Sequence, residues 1–223
     1  MALLPQSLRS LTPVGARDDI RLRALALGLG LIPPRCMHSE ADSRALARAA
    51  QGARCAVEIG VYEGASAVEL AALLDAGAEL HLIDPFGARP DALPGGWAGS
   101  EWATRRTVAR ALHARGPAAP RVRWHIGLSH EVARGFPAAP DLVFIDGDHS
   151  EAGCERDWLD WSPLVRPGGR VVFHDARLGR PDGRGLPGPT AVVERHLRGS
   201  RAEGWEIVDE DDRVVTARRS AAG

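Results

Sequence analysis

From residue 55 onward, apolar and polar positions alternate between two rhythms. Compact β-branched and aliphatic runs, CAVEIG (55–60), ELHLID (79–84), RVRWHIG (121–127), DLVFID (141–146) and GRVVFHD (169–175), read as buried strands. Longer stretches with helical spacing separate them: SAVELAALLDAG (66–77), EWATRRTVARALHARG (101–116), HEVARGF (130–136) and EAGCERDWLDWSPLV (151–165). GPTAVVERHLRG (188–199) predicts a last helix, and WEIVDEDDRVVTARR (205–219) a closing hairpin that turns at EDD. Strands that alternate with helices make a sheet covered on both faces. The expected fold is therefore α/β, a Rossmann-like, doubly wound, seven-stranded, mostly parallel sheet with a terminal antiparallel strand, plus N-terminal helices.

The first fifty residues follow a different pattern. RDDIRLRALALGLGLI (17–32) carries helical apolar spacing that Gly28 and Gly30 weaken and IPP stops. HSEADSRALARAA begins a second helix, with Ser39 and Asp42 as a capping pair. Residues 1–50 are expected to form a helical lid or interface segment, and residues 51–223 the catalytic domain. The longest loops, 85–100 and 176–188, follow the carboxyl ends of strands, where open α/β sheets bind ligands.

Composition narrows the function classes. A chain of 223 residues that is 44% hydrophobic can bury a sizeable core, and a formal net charge of −1 gives no footprint for nucleic acid. No apolar run reaches the roughly 20 residues needed to span a bilayer, and the N-terminus is too interrupted for a signal peptide. Three widely spaced cysteines, Cys36, Cys55 and Cys154, argue for a reducing, cytoplasmic setting. Every basic side chain apart from histidine is Arg, which points to a GC-rich bacterial genome and removes Lys as a candidate base.

The segment VEIGVYEGAS (57–66) joins the first strand to the first helix of the domain. Gly60 and Gly64 allow a sharp turn and close approach of a ligand. The spacing is E-x-G-x-x-x-G, not the dinucleotide G-x-G-x-x-G, and Glu58 places a negative charge where a pyrophosphate would sit. That charge suits a ligand with a cationic amine or sulfonium. Asp84 closes the next strand, where an acid accepts hydrogen bonds from both ribose hydroxyls. A nucleoside with a cationic amino-acid tail and no phosphate satisfies both carboxylates, and S-adenosyl-L-methionine is such a molecule.

With VEIGVYEGAS, LIDPF, FIDGDHS and PGGRVVFHD in this order, the chain resembles the class I S-adenosylmethionine-dependent methyltransferases. It is most similar to the small catechol-type O-methyltransferases and their bacterial natural-product relatives, over roughly residues 37–219. The resemblance implies that Glu58, Gly60, Tyr62, Gly64 and Ser66 surround the methionine moiety and that Asp84 holds the ribose. It further implies Ser129 and His130 by the adenine, Met37 and His38 over the reactive methyl, and Asp146 beside the cofactor.

Asp146, His174 and Asp175 close strands expected to be neighbours, about 4.8 Å apart, so all three could converge on one ion. In the resembling enzymes the corresponding positions hold a divalent metal, magnesium or manganese, that grips the acceptor oxygen. His149, three residues beyond Asp146, has a side chain suited to proton removal near neutral pH and is the expected base. Imidazole is an unusual partner for magnesium. Either His174 is a ligand and shifts preference towards manganese, iron or zinc, or it hydrogen-bonds the substrate.

The expected activity is divalent-metal-assisted O-methylation of a small molecule such as a secondary metabolite, sugar or phenol. A metal-dependent hydroxylase-like enzyme on the same fold and a non-catalytic nucleoside-binding subunit are the alternatives. A homo-oligomer built through residues 1–35 is compatible with this reading. Trp97 and Trp102 are expected to line the substrate or adenine pocket, and Arg177 to hold an acidic substrate group. Asp148 is expected to face solvent or cap a helix. His81, His125, Trp158, Trp161 and Cys154 are expected to be packing residues.

Overall fold

A computed structural model describes residues 20–87, 99–198 and 203–221; Trp97 and residues 1–19 lie outside them. Helices α1 (Ile20–Gly28) and α2 (Glu40–Ala50) precede β1 (Cys55–Ile59), α3 (Ala65–Leu73), β2 (Glu79–Ile83), α4 (Glu101–Arg115) and β3 (Arg121–His125). Then come α5 (Ser129–Ala133), β4 (Leu142–Ile145), α6 (Glu151–Trp161), β5 (Arg170–Phe173), α7 (Pro187–Val193), β6 (Trp205–Asp211) and β7 (Val214–Arg219). The strands form one seven-stranded sheet in the order β3-β2-β1-β4-β5-β7-β6. All neighbours from β3 to β5 are parallel, and β7 enters antiparallel between β5 and β6.

Burial explains the order. β4 is buried at every position, and β1 at all but its first, as befits strands covered on both faces. Ala56, Leu80, Leu142, Phe144 and Val172 pack with Leu46 of α2, Leu70 of α3 and Val108 of α4 on one face. Val57, Val143, Val171 and Phe173 pack with Trp158 and Trp161 of α6 and Val192 of α7 on the other. β6 sits at the edge and alternates between half-buried and exposed side chains, as a strand with one wet face should.

The capping pair on α2 forms as expected. The Asp42 N–H donates to Ser39 Oγ at 3.2 Å, and the Ser39 N–H donates to Asp42 Oδ2 at 2.8 Å. α6 is capped by Ser150, whose hydroxyl accepts the Gly153 N–H at 3.1 Å, and it ends at Trp161, just before Pro163. Beyond α2, the amino-terminal segment is anchored by charge. Arg23 of α1 makes two 2.6 Å bonds to the buried carboxylate of Glu63 in the glycine turn. Arg110 of α4 caps the end of α1 by donating to the carbonyls of Leu27 and Gly28 at 2.8 and 2.7 Å.

Candidate active site

The strand register makes the site. Ile59 of β1 pairs with Ile83 of β2 and Ile145 of β4, and Ile145 pairs with Phe173 of β5. The next residues, Gly60, Asp84, Asp146 and His174, therefore leave the sheet along one line. This edge is the carboxyl end of the strands, beside the point where strand order reverses, and open α/β sheets place ligands there.

Gly60 has φ +89°, and a Cβ on it would lie 2.3 Å from the Asp146 carbonyl oxygen. Only glycine lets the β1 turn pass so close to the end of β4. Asp84 Oδ2 accepts the N–H groups of Val61 and Tyr62 at 2.9 and 2.8 Å, and Oδ1 accepts that of Phe86 at 2.7 Å. The carboxylate thus fixes the glycine turn, while Oδ1 retains a further lone pair. Burial pushes the Asp84 carboxyl up.

Glu58 is fully buried. Ser66 Oγ donates to its Oε1, while Oε2 finds no hydrogen-bond partner among the described residues. Burial pushes this carboxyl up to about 8, with Ser66 opposing. A buried, half-satisfied acid has a strong preference for a cationic partner.

Two cavities flank the turn and share Gly60. One, of about 260 Å³, is lined by Ile83, Pro85, Leu128, Ser129, His130 and Asp157, among others. The other, of about 60 Å³, is lined by Arg35, Met37, His38, Tyr62, Ser66 and Asp146, among others. The sequence-predicted adenine-side residues, Ser129 and His130, and methyl-side residues, Met37 and His38, therefore fall on opposite sides of Gly60. Glu58, Gly64 and Asp84 are not among the lining residues of either cavity.

Beyond Gly60, three imidazoles and two carboxylates crowd together. His174 Nδ1 stands 3.0 Å from Asp146 Oδ1 and 3.5 Å from Asp175 Oδ2. His149 Nε2 stands 3.3 and 3.4 Å from the same two oxygens, which closes a ring of four donor atoms. His38 Nε2 approaches the other Asp146 oxygen at 3.4 Å. Despite these separations, His149 Nε2 and both His174 nitrogens lack a properly directed hydrogen bond among the described residues. Buried nitrogens without hydrogen-bond partners beside two carboxylates are the expected sign of a cation site. The residues therefore fit a divalent ion, and both groupings of nearby metal donors, His38–Asp146–His174 and His149–His174–Asp175, fall here.

The field of the cluster polarises its members. Burial opposes charge on Asp146, but His174, His149 and His38 hold its carboxyl well below the usual carboxylate range. Burial likewise opposes protonation of His174 and His149, yet the facing carboxylates push them up to about 12 and about 9. Asp175 adopts the left-handed region at φ 54°, an uncommon conformation that concentrates at functional sites.

Several site residues carry no local sequence signal. Asp42 serves the helix cap and also faces His174 Nε2 at 3.5 Å; residues so distant in the chain give no motif. Glu63 ties the turn to Arg23, and Asp157 lines the larger cavity while accepting from Ser129 Oγ. Burial pushes Asp157 up to about 7.

Other expectations fare differently from one another. Arg177 donates to the Asp212 and Pro181 carbonyls at 3.1 and 3.4 Å and so ties its loop to the β6–β7 turn. Trp102 lines neither cavity but packs so closely on α1 that a Cβ at Gly28 would lie 2.0 Å from its ring. Asp148 accepts the Ser150 N–H at 2.8 Å near the start of α6, and it also lines the larger cavity. His81 and His125 pair ring to ring, with nitrogens 3.0 Å apart, while Trp158, Trp161 and Cys154 are buried in the core.

This strand order, with a glycine turn after β1 and acids at successive strand ends, defines a class I S-adenosylmethionine-dependent methyltransferase. Residues 57–176 match the family described as a methyltransferase domain, and the chain belongs to that family. A protein of Mycobacterium sp. (strain JLS), provisionally named an O-methyltransferase, is 29% identical over 196 residues, covering 87% of this chain and 77% of the relative. The structure of the O-methyltransferase NovP superposes with a TM-score of 0.63 at 17% identity, covering 89% of each chain. The O-methyltransferase TomG from Streptomyces achromogenes, solved in complex with S-adenosylmethionine, gives 0.54 at 19% identity over 96% of this chain and 95% of its own.

Proposed function

We propose that the protein transfers the methyl group of S-adenosylmethionine to a hydroxyl oxygen of a small molecule, with a divalent ion held by Asp146, His174 and Asp175. The observation that carries this reading is the ring of donor atoms from Asp146, His174, Asp175 and His149, one step beyond the turn where two cavities meet. TomG is described as taking part in tomaymycin synthesis, which supports a secondary-metabolite acceptor here.

Each residue has a task in this reading. Ser129 and His130 flank the nucleoside base, Asp84 accepts from the ribose, and Tyr62 and Ser66 border the amino-acid tail beside the glycine turn of Gly60 and Gly64. Glu58 meets the cationic end, gaining the partner that its Oε2 lacks. S-adenosylmethionine supplies the methyl group when bound, and a divalent ion supplies the Lewis acidity that lowers the pKa of an acceptor hydroxyl. His149 takes the acceptor's proton on Nε2. Its side chain is the most exposed of the three imidazoles, at 34% against 5% and 2%, with Nε2 turned inward to Asp146 and Asp175. Charge placed between Asp146 and Asp175 cancels the field that otherwise keeps His149 protonated. Met37 and His38 keep water from the methyl.

Residues 1–50 act as lid or subunit contact in this reading. The Arg23–Glu63 pair and the exposed Ile20, Leu25, Leu29 and Leu31 support that role. Among the described residues no helix is long and apolar enough to cross a membrane.

The test is calorimetry with S-adenosylmethionine and its demethylated product, followed by incubation with methyl-labelled cofactor, manganese or magnesium, and a panel of phenols, sugars and hydroxylated metabolites. Labelled ether product supports the assignment. Oxygenated product, or tight cofactor binding without turnover on any acceptor, would replace it with a hydroxylase-like or non-catalytic role.

A further inference from the structure

We propose that Asp42 is a positioning residue that aims His174 Nδ1 at the ion, so that the site takes a nitrogen-accepting transition ion in preference to magnesium. This assignment rests on the metal-assisted reading above.

Asp42 and His174 are among the most buried polar side chains, at 1% and 2% exposure. Asp42 is held on three sides: Oδ2 by the Ser39 N–H, Oδ1 by the Arg213 N–H at 3.2 Å, and its own N–H by Ser39 Oγ. Its Oδ2 faces His174 Nε2 at 3.5 Å. Among the described residues the flanks of the imidazole meet rings instead: the His38 ring lies 4.6 Å away and the Phe144 ring 6.3 Å, edge-on. With an ion between Asp146 and Asp175 claiming Nδ1, the remaining proton of His174 sits on Nε2, towards Asp42. The Nδ1 lone pair is left facing Asp146 and Asp175. A carboxylate behind a ligating imidazole is the usual means of fixing ring tautomer and orientation.

The separations from His174 suit one ion. Two ligand atoms, each about 2.1 Å from the same metal, stand about 3.0 Å apart at octahedral and about 3.4 Å at tetrahedral angles. His174 Nδ1 stands 3.0 and 3.5 Å from the nearest Asp146 and Asp175 oxygens. The set is one nitrogen and two carboxylates at least. Magnesium favours oxygen, whereas manganese, iron, cobalt and zinc accept imidazole.

The experiment uses the full chain stripped of metal by chelation and titrated with magnesium, manganese and cobalt. Transition ions outbind magnesium at most sites, so the measured quantity is the change in the cobalt-to-magnesium affinity ratio on His174→Asp. The ratio should fall at least tenfold, and electron spin-echo spectra of the manganese-loaded protein should lose an imidazole nitrogen signal that His149→Ala retains. Asp42→Asn should weaken cobalt binding about 10–100-fold and alter that nitrogen signal, with circular dichroism unchanged. A ratio unmoved by His174→Asp, or a nitrogen signal indifferent to Asp42→Asn in folded protein, would overturn the assignment and leave the methyltransferase reading intact. Failure of any divalent ion to bind would remove the metal from both, and cofactor calorimetry on the same samples would show whether methyl transfer survives without it.

Discussion

At the scale of single residues, the two ends of the site depend on different physics. Gly60 is a steric requirement. Gly60→Ala places a methyl 2.3 Å from the Asp146 carbonyl at a φ of +89°, so the turn must move away from β4. Loss of detectable cofactor binding, read by calorimetry, is the expected outcome, together with a lowered melting temperature. His149 is a matter of protonation. As the base, His149→Gln should lower kcat by about 10²–10⁴-fold while leaving the affinity for the demethylated cofactor within about twofold. Stopped activity with the affinity also lost would mean that His149 builds the cofactor pocket instead.

At the scale of elements, what was legible in the sequence and what was not divide by distance along the chain. The strands announced themselves because β1, β2, β4 and β5 are buried almost throughout, which forces apolar runs into the sequence. The acids and imidazole that close them stood out for the same reason: a charge directly after a core strand has no packing role. Ser39 and Asp42 were readable as a cap because capping is local. The second task of Asp42, facing His174, was not, since it depends on α2 docking beside β5. α3 ends at Leu73, short of the 66–77 pattern, because Leu74 turns to extended backbone. The attachment of α1 was equally hidden, because Arg23 and Glu63 meet only after the fold brings α1 onto the glycine turn. Breaking that pair is informative: Arg23→Met leaves the buried Glu63 carboxylate, among the described residues, with only the Arg35 contacts, at a cost of about 3 kcal/mol. Hydrogen exchange should quicken in α1 and around residues 61–64, with β4 and β5 unaffected. The double change Arg23→Met with Glu63→Met should restore much of the protection, which a role for Arg23 apart from Glu63 would not produce.

At the scale of the whole molecule, one sheet edge gathers groups whose loss of a proton opposes folding in the absence of ligand. Glu58 is raised to about 8 when folded, against an ordinary value of 4.5. Its contribution to stability is complete below the lower figure. It declines as pH rises, because the unfolded chain releases the proton first, and it is lost by the time the folded pKa is passed. The slope is about 1.4 kcal/mol per pH unit over that window. His38 and His149, raised to about 9, act in the same direction from their unfolded value upward, so the ligand-free protein should melt at a higher temperature near pH 6 than near pH 8.5. Glu58→Gln removes the ionising group but retains an oxygen for Ser66. It should raise the melting temperature at pH 8 by several degrees, flatten the decline between pH 5 and 8, and weaken binding of S-adenosylmethionine at least tenfold. A methylene-carbon analogue of the cofactor that lacks the sulfonium charge separates the two ways Glu58 could serve. If the carboxylate answers the sulfonium, Glu58→Gln weakens the analogue far less than the cofactor; if it answers the amine, both weaken alike. A variant that lost stability at pH 8 while binding the cofactor normally would show that the buried acid serves the fold, and the charge-matching account of the pocket would fail with it.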